Sequence, residues 1–199
     1  SDGSLWAWGD NRYGQIGDGT TEDRITPIKI MDNVIGISVG RYFSLAIKED
    51  HSLWAWGWNR YGQIGDGTTE DRTTPIKIMD DVIEVDAGDR HSLAIKSDGS
   101  LWAWGDNSNG ALGNGAESGS YAPITPTKIM DDVIMASAQG DQSFGHSHAI
   151  KSDGSLWSWG SNEMGRLGDG TTEDRFSPIK VMDDVIGVSA GGSLCLALK

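Results

Sequence analysis

Apolar and polar positions alternate along this chain in short runs of five or six residues broken by glycine-rich turns. In Leu5-Trp6-Ala7-Trp8-Gly9 the alternation sets Trp6 and Trp8 on one face of a strand and Leu5 and Ala7 on the other, because successive side chains of a strand point to opposite sides. The pattern predicts four strands per unit. Two short β-branched runs, 27–30 and 34–39, are separated by a turn at Asp32 and Asn33 and closed by Gly40. Residues 43–48 and 52–57 then form a hairpin around Glu49 and Asp50. The segment 10–26 carries Gly14, Gly17 and Gly19 where the backbone must turn tightly, which predicts a structured loop.

The unit recurs. Trp8, Trp56, Trp104 and Trp159 hold the same place in LWAWG, LWAWG, LWAWG and LWSWG, at spacings of 48, 48 and 55. The chain holds a whole number of repeats, approximately 1–48, 49–96, 97–151 and 152–199, in a single repeat domain. Joining Lys199 to Ser1 regenerates a repeat, so strand 3–9 is expected to complete the last blade of a ring and leave no unpaired edge. The tryptophan pairs Trp6 and Trp8, Trp54 and Trp56, Trp102 and Trp104, Trp157 and Trp159 are expected to pack between neighbouring blades. The expected class is all-β: a propeller of four four-stranded blades per chain. A closed four-bladed ring, part of a larger ring and half of an eight-bladed dimer all stay open.

Composition narrows the partners. The 28 glycines and 9 tryptophans fit turn-rich β structure, and a net charge of −13 argues against a phosphate backbone as partner. A basic or neutral protein is expected instead, with no nucleic acid and no membrane, since no stretch approaches the roughly 18 apolar residues of a spanning helix. Cys195 rules out an intrachain disulfide and reads as an inert buried thiol in the apolar run 194–198. Ser1 falls mid-motif, which leaves room for a leader or further repeats upstream.

GSLWAWGDNRYGQIGDG at residues 3–19, followed by HSLAIK at 91–96, resembles the repeat of the regulator of chromosome condensation family. The resemblance covers essentially the whole chain and implies a β-propeller with one repeat per blade. Family members usually have seven blades, and four repeats depart from that number. The eukaryotic founder's nucleotide exchange on a small GTPase and its docking on nucleosomes are implied only weakly, because nucleosome docking needs basic arms that this acidic chain lacks. The Trp-rich acidic repeats look more like bacterial members, among them a secreted inhibitor that grips enzymes with propeller loops. That likeness implies protein binding and a secreted or cell-surface location.

Positions that differ between the four copies are the ones free for recognition. They fall in the loop after the second strand and the loop after the fourth, which leave the same face of a meander. Trp, Tyr and Arg there suit a binding hot spot. The expected protein-binding face comprises Trp58, Arg60, Tyr61, Arg41, Tyr42, Arg12, Tyr13, Arg90, Phe144 and His146, and the seven extra residues of the third repeat are placed on it too. A lectin with exposed aromatics is the alternative, although a lectin should repeat its pocket in every blade. No catalytic residue, cofactor or metal is expected. His146 and His148 form a pair that lacks further zinc ligands, and the DGTTED loops at 18–23, 66–71 and 169–174 miss the oxygen spacing of a calcium hand and read as solvated acidic loops.

Overall fold

The computed structural model describes residues 2–116, 123–140 and 144–199, and every regular element among them is a β-strand. Three complete antiparallel sheets follow one another as blades. The first is β3 (Val34–Val39), β4 (Phe43–Lys48), β5 (Leu53–Gly57) and β6 (Arg72–Met79); the second is β7 (Val82–Ala87), β8 (His91–Lys96), β9 (Leu101–Gly105) and β10 (Thr127–Met130). The third is β11 (Val133–Gln139), β12 (His146–Lys151), β13 (Leu156–Gly160) and β14 (Arg175–Met182). A fourth blade is divided between the chain ends: β1 (Leu5–Gly9) pairs with β2 (Arg24–Met31), and β15 (Gly187–Ala190) with β16 (Cys195–Leu198). Among the described residues no strand of one half-sheet pairs with the other. The expected propeller of four blades is thus laid out as an arc with half a blade at each end.

Within a blade the strands stack in chain order, so the first lies innermost and the fourth outermost. Pro27, Pro75 and Pro178 sit in the outermost strands β2, β6 and β14, where a missing N–H costs no ladder bond on the open side. The outer strand starts earlier than proline alone suggests, at Arg24, Arg72 and Arg175. Each of these arginines is held by an aspartate in the preceding loop, Nε to Oδ2 at 2.6 to 2.7 Å in the pairs Arg24–Asp18, Arg72–Asp66 and Arg175–Asp169. The innermost strands β3, β7, β11 and β15 touch in succession and are joined by side chains: Ser38 Oγ donates to Asp86 Oδ1 at 3.1 Å, and the Ala138 amide donates to Asp86 Oδ2 at 2.9 Å.

The core lies between blades. Phe43, Leu45, Ile47, Leu53, Ala55 and Ile64 pack with Val82, Ala94 and Trp104 of the next blade. The second tryptophan of each motif crosses this boundary: Trp56 Nε1 donates to the Gln15 carbonyl at 2.9 Å, Trp104 to Gln63 at 2.8 Å and Trp159 to Ala111 at 2.9 Å. The indoles lie on Gly17, Gly65 and Gly113, where an added Cβ would come within 2.8 Å of a ring atom. The first tryptophan, in Trp54, Trp102 and Trp157, is half-buried and donates to a serine two residues earlier.

Two expectations are corrected here. Trp6 and Trp8 are 50% and 63% exposed rather than packed between blades, because among the described residues no blade covers β1. Cys195 is only half-buried for the matching reason, since β16 has no strand on its outer side.

Candidate interaction face

Every loop after a tryptophan strand is built on one asparagine. Asn11, wholly buried, donates from Nδ2 to Asp18 Oδ1 and to the carbonyls of Thr20 and Glu22, while its Oδ1 accepts from the Ile16 amide at 2.9 Å. Asn59 repeats this set, and Asn107 and Asn162 each keep the bond that holds the loop shut, from Leu112 and Leu167 respectively. The acidic loop is solvated at Glu22 and Asp23, as expected, but Asp18 is enclosed: it binds Arg24 and Thr20, with its side chain 9% exposed. Burial raises its pKa, but the Thr20 and Arg24 hydrogen bonds outweigh this and hold it at about 2.

This rigid loop presents its variable residues beside those of the loop after the innermost strand. The Trp58 amide donates to the Tyr42 carbonyl at 2.8 Å, that of Asp106 to Arg90 at 2.9 Å and that of Ser161 to Gly145 at 2.9 Å. In the first blade the result is an aromatic cluster. Tyr13 lies 5.1 Å from Tyr42 and 5.8 Å from Trp58, and Trp58 meets Tyr42 and Tyr61 edge-on at 5.9 and 5.4 Å. Two cations stack on its flanks, Arg41 5.3 Å from the Tyr42 centroid and Arg90 4.9 Å from that of Tyr61. Asp89 holds both, at 3.7 Å from Arg41 and 3.6 Å from Arg90, and Arg12 pairs with Asp10 at 3.0 Å. Arg12, Arg41 and Arg60 are exposed, and the four rings are half-buried.

The remaining expected residues lie elsewhere. Phe144 is exposed but pairs with Arg166, 6.0 Å from its ring, and no ring contact joins it to the cluster among the described residues. His146 is fully buried in β12 and is not part of any surface. The extra residues of the third repeat lie in part at 117–122 and 141–143, outside the described residues. Arg166 escaped sequence reasoning; its signal was its substitution for Gln15, Gln63 and Ala111 of the other copies.

Three buried histidines lie in the second and third blades. His91 Nε2 lies 3.0 Å from Ser147 Oγ, His148 Nδ1 lies 2.8 Å from Ser158 Oγ, and the His146 and His148 rings meet edge-on at 5.3 Å. Burial drives their pKa values down, to about 3 for His91 and His148 and about 4 for His146, so all three are neutral at neutral pH. No group of three potential metal ligands converges among the described residues.

Comparison with known proteins matches the family model described as "Regulator of chromosome condensation (RCC1) repeat" at residues 2–47, 50–95, 98–145 and 153–198, and a second model of the same description at 34–63 and 82–111. Among solved structures the chain is similar to human WBSCR16, at 23% identity and a TM-score of 0.82, over 98% of this chain and 53% of that one. It is similar to Prp20p from Saccharomyces cerevisiae, described with its binding properties to Gsp1p and histones, at 25% identity and a TM-score of 0.81, over 98% and 51%. A second structure, of yeast RCC1 (Prp20) bound by Kap60, matches at 25% identity and a TM-score of 0.84, over 98% and 49%. The chain spans about half the length of each of these proteins.

Proposed function

The chain belongs to the RCC1 repeat family, and from that premise we propose that it is a non-enzymatic propeller scaffold that captures a partner protein on the loop face where its divided blade meets the first complete blade. One observation carries the reading: Tyr13, Tyr42, Trp58 and Tyr61, drawn from loops of the divided blade and the first complete blade, form one contiguous aromatic surface flanked by Arg41 and Arg90. Aromatic rings and guanidinium groups offer large contact area at small entropy cost, which is why they dominate hot spots. The related propellers described with Gsp1p, histones and Kap60 support a protein as the partner class. Asymmetry disfavours the lectin reading, since Trp58 has Asp10, Asp106 and Ser161 as its counterparts in the other copies. Exchange-factor or chromatin-docking activity, as for the family founder, has no support from a chain of net charge −13.

The test compares the wild-type chain with Trp58→Ala/Tyr61→Ala as immobilised bait in one extract, read by quantitative mass spectrometry. A protein retained by the wild type and lost from the double variant, at a closely similar melting temperature, is the expected result. Equal capture by both baits sinks the assignment to this face.

A further inference from the structure

Most cations of this chain hold the blades together. Lys29, Lys77, Lys128 and Lys180 each pair with an aspartate three residues on at 2.6 Å, Lys48, Lys96 and Lys151 stand over the first tryptophan of a motif, and Arg24, Arg72 and Arg175 close loops. These contacts recur from copy to copy. Arg12, Arg41, Arg60 and Arg90 have no such role, and all four gather at the aromatic cluster: the first three each directly precede one of its tyrosines in the chain, and Arg90 stacks on Tyr61. Where two copies have Arg12-Tyr13 and Arg60-Tyr61, the other two have Ser108-Asn109 and Glu163-Met164.

At the cluster the guanidinium groups form the outer layer and the carboxylates the inner one. The Arg41 side chain is 38% exposed against 14% for Asp89, and that of Arg12 is 64% exposed against 37% for Asp10. The lysine–aspartate pairs have the reverse order, with the carboxylate outermost. A chain of net charge −13 thus turns cations outward at the place where its aromatic rings are gathered. A partner seated on the rings strips water from the guanidinium groups stacked on them, and a desolvated charge is costly without a counter-charge. Asp89 is already shared between Arg41 and Arg90.

Trp58 is the central ring. Tyr13 and Tyr42 meet each other and Trp58 at one end, with Arg12 and Arg41; Tyr61 meets Trp58 at the other, with Arg60 and Arg90. Resting on the docking reading given above, we propose that this face takes a short acidic segment of the partner protein. An apolar side chain seats against Trp58, one carboxylate meets Arg12 and Arg41, and a second meets Arg60. With ring centroids 5.8 and 5.4 Å either side of Trp58, the two carboxylates stand about three residues apart in an extended segment that rises ~3.3 Å per residue. A guanidinium donates to a carboxylate through two parallel N–H groups, which gives direction as well as charge. The segment is short because the same loops carry exposed Glu22, Asp23, Glu70 and Asp71, which repel an extended acidic surface.

A random peptide library displayed on phage and selected on the immobilised 199-residue chain reads this preference directly. Each clone is tested again on Trp58→Ala/Tyr61→Ala, and those that lose binding are ligands of this face. The expected ligands carry Asp or Glu on both sides of an apolar residue. A neutral or basic consensus overturns the proposal and leaves the docking face standing, whereas a selection with no clone dependent on Trp58 and Tyr61 removes the face and the proposal together. For the tightest peptide, Arg12→Gln/Arg60→Gln should weaken binding about tenfold or more at an unchanged melting temperature. Replacing the peptide's own carboxylates by amides should do the same on the wild-type chain, where folding is not in question. Affinity that stays the same in either experiment overturns the proposal.

Discussion

Trp104 lies against Gly65 of the preceding repeat, so that a Cβ at that glycine would sit 2.7 Å from the indole Nε1. The blade boundary is therefore set by a glycine as much as by the ring. Gly65 and Gly67 have nearly the same backbone, φ +87° and +82°, yet at Gly67 the nearest atom to an added Cβ is Thr125 Cγ2 at 3.6 Å. Both substitutions by alanine carry the left-handed cost of about 1 kcal/mol. Gly65→Ala should add about 1 to 3 kcal/mol more from overpacking the fully buried indole. Urea unfolding of the two variants measures the difference, and equal losses would show that the joint yields.

His51 should be replaceable with profit. It holds φ +61° where the matching turns have Gly3, Gly99 and Gly154 at +65° to +79°, and its ring gains only a 3.3 Å contact with the Val82 carbonyl. His51→Gly should raise stability by about 0.5 to 1 kcal/mol, the left-handed strain exceeding the entropy of the glycine. A lowered thermal midpoint would assign the histidine a supporting role.

The buried histidines make the fold acid-sensitive. Their folded-state pKa values, about 3 to 4, lie below the ordinary 6.5, so the unfolded chain binds more protons and stability falls as pH drops from about 6.5 towards 4. Asp86 and Glu84, raised by burial, work in the opposite sense as pH drops through their raised values, which makes a difference measurement necessary. His148→Leu/Ser158→Ala restores the Leu45 and Ala55 pair of another blade. It should keep on the order of 2 kcal/mol more stability at pH 4 than the wild type, relative to pH 7. Parallel pH profiles would locate the sensitivity in other groups.

Arg72 closes its loop through the nearly buried Asp66 carboxylate, with Nε at 2.7 Å and a second nitrogen at 2.5 Å. Arg72→Ala should cost about 2 kcal/mol, and Arg72→Lys should recover only part of it, because a single ammonium nitrogen replaces the two that converge on Asp66 Oδ2, one of which also donates to Thr68 Oγ1 at 3.1 Å. Chemical denaturation of the three chains decides this, and full rescue by lysine would reduce the pair to simple charge.

Strand order was legible because alternation and Gly-bounded runs are local properties of β3 to β5 and their copies. The meeting of Tyr42 with Trp58 was legible too, since two strands of a meander leave two loops at one end. Burial was not. Trp8 and Trp56 stand in the same five-residue motif, yet one is exposed and the other enclosed, because enclosure comes from a loop some 40 residues earlier in the chain. His146 misled for a related reason: variation between copies signals freedom at a surface but also repacking inside, and β8 and β12 carry histidines where the first blade has Phe43 and Leu45, two of which, His91 and His148, meet serines.

The bond from each tryptophan to the previous repeat's carbonyl means that the packing unit is offset from the sequence unit, half of it lying in each of two neighbours. A tandem duplication of one repeat brings one new ring and one new glycine shelf, and every existing joint keeps its partner type. Such a chain gains blades by copying alone, with no compensating substitution at the point of insertion.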